Sequence, residues 1–258
     1  YDDTFVPFSI VGLKVAAKRV SDSGSARGIY GWGSNTAEKH RLYKKYLPFF
    51  WSYGASIFSD INQYCVLSSS MAVEALKTYK FLHDSSGYVS NQRGIEDAFL
   101  DGKIGFIISG DWLLKRIELE NRKINLVSTL IPGMKYPGLS FLGGEFLAVN
   151  EASPNKEAAL RFIKFFTSPA NQLRFCKDNR SANPSSREAS EDDYFKSNDH
   201  LQTFIRQINM AKHPPVDPDW VFIEQEIERA VEDALFGEGL PAEALLKARR
   251  NIDARRKE

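Results

Sequence analysis

The sequence has few of the residues that form reactive centres. Its 258 residues include two cysteines, Cys65 and Cys176, which lie far apart and match no CxxC or metal-binding spacing. We therefore predict two separate packed thiols rather than a disulfide. The four histidines are scattered along the chain without an HExxH or His/Cys pattern, so neither a metal site nor a cofactor is expected.

Motifs typical of enzymes are also lacking. The chain has no GxSxG nucleophile elbow and no P-loop, and Gly28, Gly31 and Gly33 do not form a dinucleotide-binding fingerprint. Acidic pairs such as Asp192 and Asp193 occur, but carboxylates cleave a glycosidic bond only when they flank it in space, which sequence spacing does not reveal. We predict that the protein is not an enzyme, with a carbohydrate-active enzyme as an alternative.

The chain carries neither an excess of one charge nor a long apolar run. A net charge of +1 argues against nucleic acid as the main partner, because phosphate binding needs a concentrated basic surface. No apolar run approaches the length of a membrane span. The sequence begins at Tyr1 without an initiator Met, and these residues alone do not indicate a cellular location. The basic run at the C-terminus is interpreted as the solvated side of a final helix; it comprises Lys247, Arg249, Arg250, Arg255, Arg256 and Lys257.

Apolar residues are sufficient for a folded core, and their spacing alternates between helical and strand patterns. Hydrophobic residues make up 43% of the chain, which argues against disorder. Helices are predicted at 8–20, 71–82, 93–101, 154–166, 169–177, 201–212, 218–236 and 241–255. Strands are predicted at 28–33, 104–108 and 125–131, with a further short strand after Gly144. Strands alternating with helices indicate an α/β fold.

Several aromatic side chains occur where elements meet. Trp112 follows a strand and a Gly-containing turn, and Trp220 lies in the first turn of a predicted helix. A sugar ring has an apolar face and a fringe of hydroxyls, so it suits an aromatic platform with polar groups at its edges. The alternative is that these aromatics are core residues, which is favoured for adjacent ones. The remaining candidates are Trp32 and the cluster of Phe49, Phe50, Trp51 and Tyr53.

Residues 143–176 form the most informative segment. Two helices are predicted here, each introduced by Ser-Pro, because Ser153 and Ser168 suit helix caps and the prolines after them suit the first helical turn. The first of these helices has a wide apolar face that runs from Ala158 to Phe166.

This segment resembles the carbohydrate-binding, maltose-binding-protein-like group of solute-binding proteins of ABC importers. The motif from Ala98 to Trp112, Ala-Phe-x-x-Gly-Lys-x-Gly-Phe-x-Ile-x-Gly-Asp-Trp, and the Leu-Pro-Ala-Glu-Ala-Leu-Leu-Lys-Ala motif from Leu240 resemble the same group. The family usually has Ala-Met where this chain has Gly105 and Phe106. The resemblance covers nearly the whole chain and implies a periplasmic-binding-protein-like fold of type II.

The resemblance also implies a function and a site. It implies that the protein is extracytoplasmic, periplasmic or lipid-anchored, binds a sugar in an interlobe cleft, delivers it to an ABC importer permease and is monomeric when full length. Trp112 and Trp220 match sugar-stacking aromatics of the family, and the segment from Pro48 to Tyr53 matches an opposing aromatic cluster. Gly143 and Gly144 resemble closely approaching backbone at the cleft. Further candidates for hydroxyl hydrogen bonds are Asp111, Glu145 and Arg187.

The chain resembles only the C-terminal portion of such proteins. Residues 1–142 correspond to the second lobe, 143–178 to a return crossover and helices of the first lobe, and 179–258 to helices that complete the second lobe and hinge. We therefore expect one nearly complete lobe plus returning elements, and exposed apolar surface on the helices at 154–166 and 169–177. One alternative is that the same fold binds another small solute such as a polyamine, whose site would need carboxylates beside aromatic rings. The other is a structural role without a small ligand.

Overall fold

The computed structural model describes residues 6–38, 40–61, 63–181 and 183–256. They form two compact units. Unit 1 contains residues up to 108, 131–141 and 210 onward, and unit 2 contains 109–130 and 142–209. The interruptions show that the chain leaves unit 1 and returns to it twice.

Unit 1 is built on a small parallel sheet in the order β2-β1-β3. The central strand β1 (Tyr30–Asn35) pairs with β2 (Gly87–Ser90) and with β3 (Ile104–Phe106). The helices of unit 1 are α1 (Ile10–Gly24), α2 (Leu42–Ser52), α3 (Ser70–Ser86), α4 (Gln92–Leu100), α11 (Trp220–Phe236) and α12 (Pro241–Arg255). A second parallel pair joins β4 (Ser140–Phe141) to β5 (Ala211–Lys212).

The main core of unit 1 lies where α2, α3, α11 and α12 pack beside β1. Its largest fully buried side chains include Tyr46, Tyr79 and Phe50. Glycine is required at Gly31, because a Cβ there would lie 1.8 Å from the carbonyl oxygen of Ala17 on α1. Close packing of α1 on β1 therefore depends on this residue.

Among its described residues, unit 2 contains six helices: α5 (Trp112–Leu119), α6 (Lys156–Phe166), α7 (Pro169–Asn179), α8 (Arg187–Ser190), α9 (Asp193–Lys196) and α10 (Asp199–Ile208). Its core is small and consists of Cys176, Phe195 and Leu201 with partly buried neighbours. No residue of α6 is buried. Unit 2 therefore has much less packed apolar surface than unit 1.

Two predicted strands are absent from the described residues. Residues 125–131 form no strand, and the Ser128 hydroxyl instead shares a 2.9 Å hydrogen bond with the His200 ring of α10. Residues 145–149 also have no partner, and Phe146 is 94% exposed. Both predictions were wrong because a strand needs a neighbouring strand as well as a suitable apolar pattern.

Most predicted helices are confirmed, with shifted ends. The aromatic cluster forms the C-terminal half of α2, except for Tyr53, which is the C-cap residue of that helix. The helix expected at 201–212 ends at Ile208, and α11 begins at Trp220 rather than at residue 218. Ser168 occupies the cap position of α7 without a capping side-chain bond, and α6 is preceded at its cap by Asn155 rather than Ser153. Cys65 and Cys176 are separate buried thiols, as predicted, and burial raises the pKa of each to about 11.

Candidate functional site

The centre of the candidate site is Trp220, the first residue of α11. Its indole is partly buried, and its Nε1–H donates a 3.1 Å hydrogen bond to Oε2 of Glu224, one turn further along the helix. The Trp220 ring centroid lies 6.3 Å from that of Tyr43 on α2, with the planes at 61°. Because its polar N–H is already satisfied, the indole offers a ligand mainly its aromatic face.

Three further aromatic rings are linked to Trp220 in unit 1. Phe141 of β4 lies 5.8 Å from Tyr43 in an edge-on arrangement and 6.3 Å from Trp51 in a stacked one, measured between centroids. Tyr43 and Trp51 are buried, whereas Phe141 and Trp220 are partly exposed. We call Tyr43, Trp51, Phe141 and Trp220 the Trp220 cluster. It presents an aromatic surface that is supported from behind by buried rings.

Charged groups surround the Trp220 cluster. Lys44 Nζ lies 5.6 and 5.7 Å from the ring centroids of Tyr43 and Phe141, and Lys212 Nζ lies 5.8 Å from that of Trp51. The His40 ring pairs with Glu224. The cluster thus combines aromatic faces with ammonium, imidazole and carboxylate groups, which together can stack a ring and hydrogen-bond its substituents.

The electrostatics of the cluster fix Tyr43 as a neutral donor. Burial raises the pKa of its hydroxyl, and its hydrogen bond to Glu224 and the charges of Glu224 and Glu228 raise it further. Glu228 in turn accepts backbone N–H bonds of 3.2, 3.2 and 2.9 Å from Arg41, Leu42 and Tyr43. Burial raises the pKa of Glu228, and these three bonds oppose the rise. Two carboxylates of α11 therefore hold the start of α2.

A second polar group lies where strands β1 and β2 end. The Asn35 amide donates to Gln92 Oε1 at 3.2 Å, the Gln92 backbone N–H donates to Glu38 at 3.1 Å, and the Gln92 amide donates to Glu96 at 2.8 Å. Carboxyl ends of parallel strands are common ligand positions in α/β proteins. Sequence reasoning missed these residues, because β2 was not predicted; Asn35, just after the predicted strand at 28–33, was the usable signal.

Lys45 is the most strongly perturbed cation of unit 1. Burial lowers its pKa to about 8, while the nearby Glu96 charge opposes the decrease. Its ammonium donates to the backbone carbonyl of Ile108. This lysine connects α2 to the chain just after β3, and its ammonium is already engaged by the Ile108 carbonyl.

The predicted site residues of unit 1 separate into two groups. Trp32, Phe49, Phe50 and Trp51 are buried in the core, with Trp32 only 2% exposed, so the core alternative describes their position. Tyr53 is partly exposed, and its hydroxyl lies 2.7 Å from Oγ1 of Thr78. Trp220 is partly exposed beside the Glu224 carboxylate. Tyr43, Phe141 and Glu224 were not predicted, because their proximity depends on long-range packing.

A cavity of unit 1 lies away from the Trp220 cluster. It is an open groove of about 770 Å³ between α1 and α3, lined by Val11, Val15, Lys14, Lys18 and Tyr53 among others. Lys18 is paired with Asp22 and the Lys14 ammonium lies 4.5 Å from the Phe81 centroid. We favour the Trp220 cluster as the site, because four aromatic rings meet there beside the Glu224 carboxylate, whereas two aromatic rings, Tyr53 and Phe81, line the groove.

The predicted residues of unit 2 are arranged as follows. Trp112 begins α5, is 50% exposed and lies so close to Gly110 that a Cβ there would be 1.8 Å from the indole ring. Asp111 is largely buried and accepts a 2.9 Å hydrogen bond from the Ser181 hydroxyl. Gly143, Gly144, Glu145 and Arg187 are all exposed. At Gly144 a Cβ would meet no heavy atom within 4 Å, so no close backbone approach requires glycine there.

Helix α6 exposes its apolar face, as predicted. Phe162 is 56% exposed and lies 5.9 Å from Phe166 in a stacked pair, and Phe166 contacts Phe175 of α7 edge-on at 5.2 Å. Leu160 and Phe165 are also exposed. A contiguous apolar surface of this kind marks an interaction surface.

Within residues 6–38, 40–61, 63–181 and 183–256, no group of three or more His, Cys, Asp or Glu side chains could hold a metal ion. In that same part of the chain, none of the helices is both long and apolar enough to span a bilayer.

Comparison with known proteins gives a consistent result. A family model described as "Bacterial extracellular solute-binding protein" matches residues 13–203. The search of curated proteins gave no significant match. An ABC transporter solute-binding protein from Thermotoga lettingae TMO bound with alpha-D-tagatose is similar in structure, with a TM-score of 0.82 and 24% identity over 96% of this chain and 64% of that one.

Two other solved structures show the same likeness. Maltose-bound MalE3 of T. maritima has a TM-score of 0.82 and 22% identity, covering 98% of this chain and 66% of its own. A solute-binding protein from Agrobacterium radiobacter K84 in complex with ribitol has a TM-score of 0.80 and 22% identity. The match covers 97% of this chain and 65% of that protein's chain. The chain therefore spans about two thirds of the length of these structures. At such identities the likeness establishes the fold and not the ligand.

Proposed function

The chain belongs to the bacterial extracellular solute-binding protein family and has the predicted periplasmic-binding-protein-like α/β fold, and from this premise we propose that it binds a carbohydrate for an ABC importer. The similar structures described above are bound to tagatose, maltose and ribitol. The observation that carries the proposal is the Trp220 cluster, a partly exposed aromatic surface with polar groups at its edge.

The Trp220 cluster suits a sugar ring for a physical reason. The axial C–H groups of a pyranose form an apolar face that packs on an aromatic ring, while its equatorial hydroxyls need donors and acceptors at the margin. The Trp220 indole supplies the face. His40, paired with Glu224, supplies an imidazole near it, and Lys44 supplies donors.

The resemblance extends this proposal to a second set of residues. Trp112 offers another half-exposed indole, and Glu145 and Arg187 offer exposed charged groups for sugar hydroxyls. In the proposed mechanism, the sugar is held in a cleft between the lobes of the whole protein, and domain closure presents it to the permease. The protein acts without catalysis, outside the cytoplasm, in the periplasm or lipid-anchored at the cell surface.

The proposed organisation follows the same comparison. Residues 1–142 and 179–258 belong to the second lobe, and residues 143–178 carry a crossover and helices that complete the first lobe. The exposed apolar face of α6 supports this assignment, because such a face needs a partner. The match covers 64% of the chain of the tagatose-bound structure, and we place that partner in the part that is not matched.

A polyamine is the second candidate ligand, because a carboxylate lies beside the aromatic rings. Glu224 contacts Trp220 and Tyr43, and a bound amine would gain from both the carboxylate and the ring faces. The His40 ring, however, already occupies the other oxygen of Glu224. This arrangement favours a neutral polyol over a cation.

The test is calorimetric titration of the protein, with all of its native chain, against glucose, maltose, maltotriose, tagatose, ribitol, putrescine and spermidine. The carbohydrate proposal predicts saturable heat with at least one sugar or polyol and no release of reducing sugar. Heat with a polyamine alone would support the second candidate. An absence of heat with every sugar and polyol would contradict the carbohydrate proposal.

A further inference from the structure

The C-terminal arginines, expected to be solvated, contact the turn that precedes Trp220. The Arg256 guanidinium carbon lies 4.2 Å from the centroid of Phe58, and its Nη1 lies 2.8 Å from Oδ2 of Asp217. The Asp217 side chain is only 13% exposed. An ion pair that is partly shielded from water and stacked on an aromatic ring is stronger than an exposed pair.

Asp217 connects this ion pair to Trp220 through the backbone. Its second carboxylate oxygen, Oδ1, accepts a 2.9 Å hydrogen bond from the N–H of Asp219. Its carbonyl accepts a 3.0 Å hydrogen bond from the N–H of Trp220. Pro218 lies between them and restricts the backbone φ of the turn. The Asp217 carboxylate therefore joins Arg256 to the turn from which α11 starts.

Asp219 is held by the neighbouring arginine. Although Asp219 occupies the cap position of α11, its side chain makes no capping hydrogen bond. One of its oxygens instead lies 3.4 Å from Nε of Arg255. Both aspartates of the turn thus face the end of α12, and the turn is fixed from outside the helix it begins.

We propose that Arg256 is a positioning residue for Trp220. By pairing with Asp217 on the Phe58 ring, it sets the conformation of the turn at residues 217–219 and hence the orientation of the Trp220 indole toward Tyr43 and Glu224. The proposal rests on the proposed function, in which Trp220 stacks on the sugar. Without the guanidinium, the Asp217 carboxylate is left shielded and unpaired, and the turn rearranges.

The experiment compares R256Q with R250Q in the protein with its whole native chain. Arg250 lies on α12, whose C-cap residue is Arg256, and it is exposed with no ion pair among the described residues, so R250Q is the matched control. R256Q is expected to weaken maltotriose binding about tenfold, within the range for coupled residues of one network. It should also increase acrylamide quenching of tryptophan fluorescence. R256K should restore part of the maltotriose affinity and part of the protection from quenching. R250Q should change neither the affinity nor the quenching.

A W220F background separates positioning from general stability. If Arg256 acts through Trp220, R256Q causes no further loss of maltotriose affinity and no further quenching in that background. Effects of equal size with and without Trp220, or unchanged binding and quenching in R256Q, would overturn the proposal. If R256Q does not fold, D217N replaces it and is expected to give the same pattern. If the wild-type protein binds no sugar, the proposed function fails, and the quenching comparison still decides the positioning role.

Discussion

At the scale of single residues, Glu224 organises the candidate site. It accepts the Trp220 indole N–H, accepts the Tyr43 hydroxyl and pairs with the His40 ring. Since these polar atoms are mutually satisfied, the Trp220 ring is held in one orientation before a ligand arrives. A pre-organised aromatic surface loses less conformational entropy on binding than a mobile one.

Replacing Trp220 tests its stacking role. We expect Trp220→Ala to weaken sugar binding by at least about tenfold, because the aromatic face is lost and each tenfold corresponds to about 1.4 kcal/mol. Trp220→Phe should retain part of the affinity. Tyr64→Ala, at an exposed tyrosine of unit 1 outside the cluster, should leave it unchanged. Calorimetric titration measures all three, and equal affinities of Trp220→Ala and wild type would exclude stacking on this ring.

Lys45 gives a prediction about pH. Its pKa in the folded protein is about 8, below the ordinary 10.5, so between these values the unfolded chain holds a proton that the folded protein has released. The free energy of unfolding therefore gains a positive contribution as pH rises through this window. We expect Lys45→Met to remove that contribution, on the order of 2–3 kcal/mol. Denaturant unfolding at pH 7.5 and 10 measures it, and identical pH slopes in both proteins would refute it.

At the scale of elements, the start of α2 depends on α11. Glu228 accepts three backbone N–H groups at that helix terminus, a role that a cap residue usually fills from its own chain segment. Arg41 at the cap position makes no side-chain capping bond. The aromatic residues of α2 are thus anchored to the helix that carries Trp220.

Glu228→Ala is expected to lower the free energy of unfolding by about 1–2 kcal/mol, the cost of losing a helix cap. Glu232→Ala, one turn later on the exposed side of α11, serves as the control and should change it little. Urea denaturation of both variants provides the measurement. A similar effect of the two substitutions would show that Glu228 does not act as a cap.

At the scale of the whole molecule, the sequence predicted those elements whose pattern lies within one continuous segment. Helices such as α3 and α12 were predicted well, because apolar spacing and caps specify them within one segment. The strands predicted at 125–131 and after Gly144 do not occur in the structure, because strand pairing depends on a partner strand elsewhere in the chain. Trp220 was predicted from its place at a helix start, whereas Tyr43, Phe141 and Glu224 required the tertiary packing.

The exposed apolar face of α6 predicts how a protein made of these 258 residues associates in solution. Phe162 and Phe165 are exposed, so we expect concentration-dependent self-association through this face. Replacing both with Ser should reduce association in sedimentation velocity while leaving the melting temperature nearly unchanged, since neither side chain is buried. Leu119→Ser, at an exposed site of α5, is the control. A large fall in melting temperature would show that the face belongs to a core.

Sugar stacking on Trp220 is tested best by a crystal structure of the protein, with its complete native chain, bound to the sugar that gives the strongest calorimetric response. We expect a sugar ring stacked on the Trp220 indole, with its hydroxyls hydrogen-bonded at the margin of the Trp220 cluster. A sugar bound elsewhere, for example in the groove between α1 and α3, with Trp220 uncontacted, would contradict it.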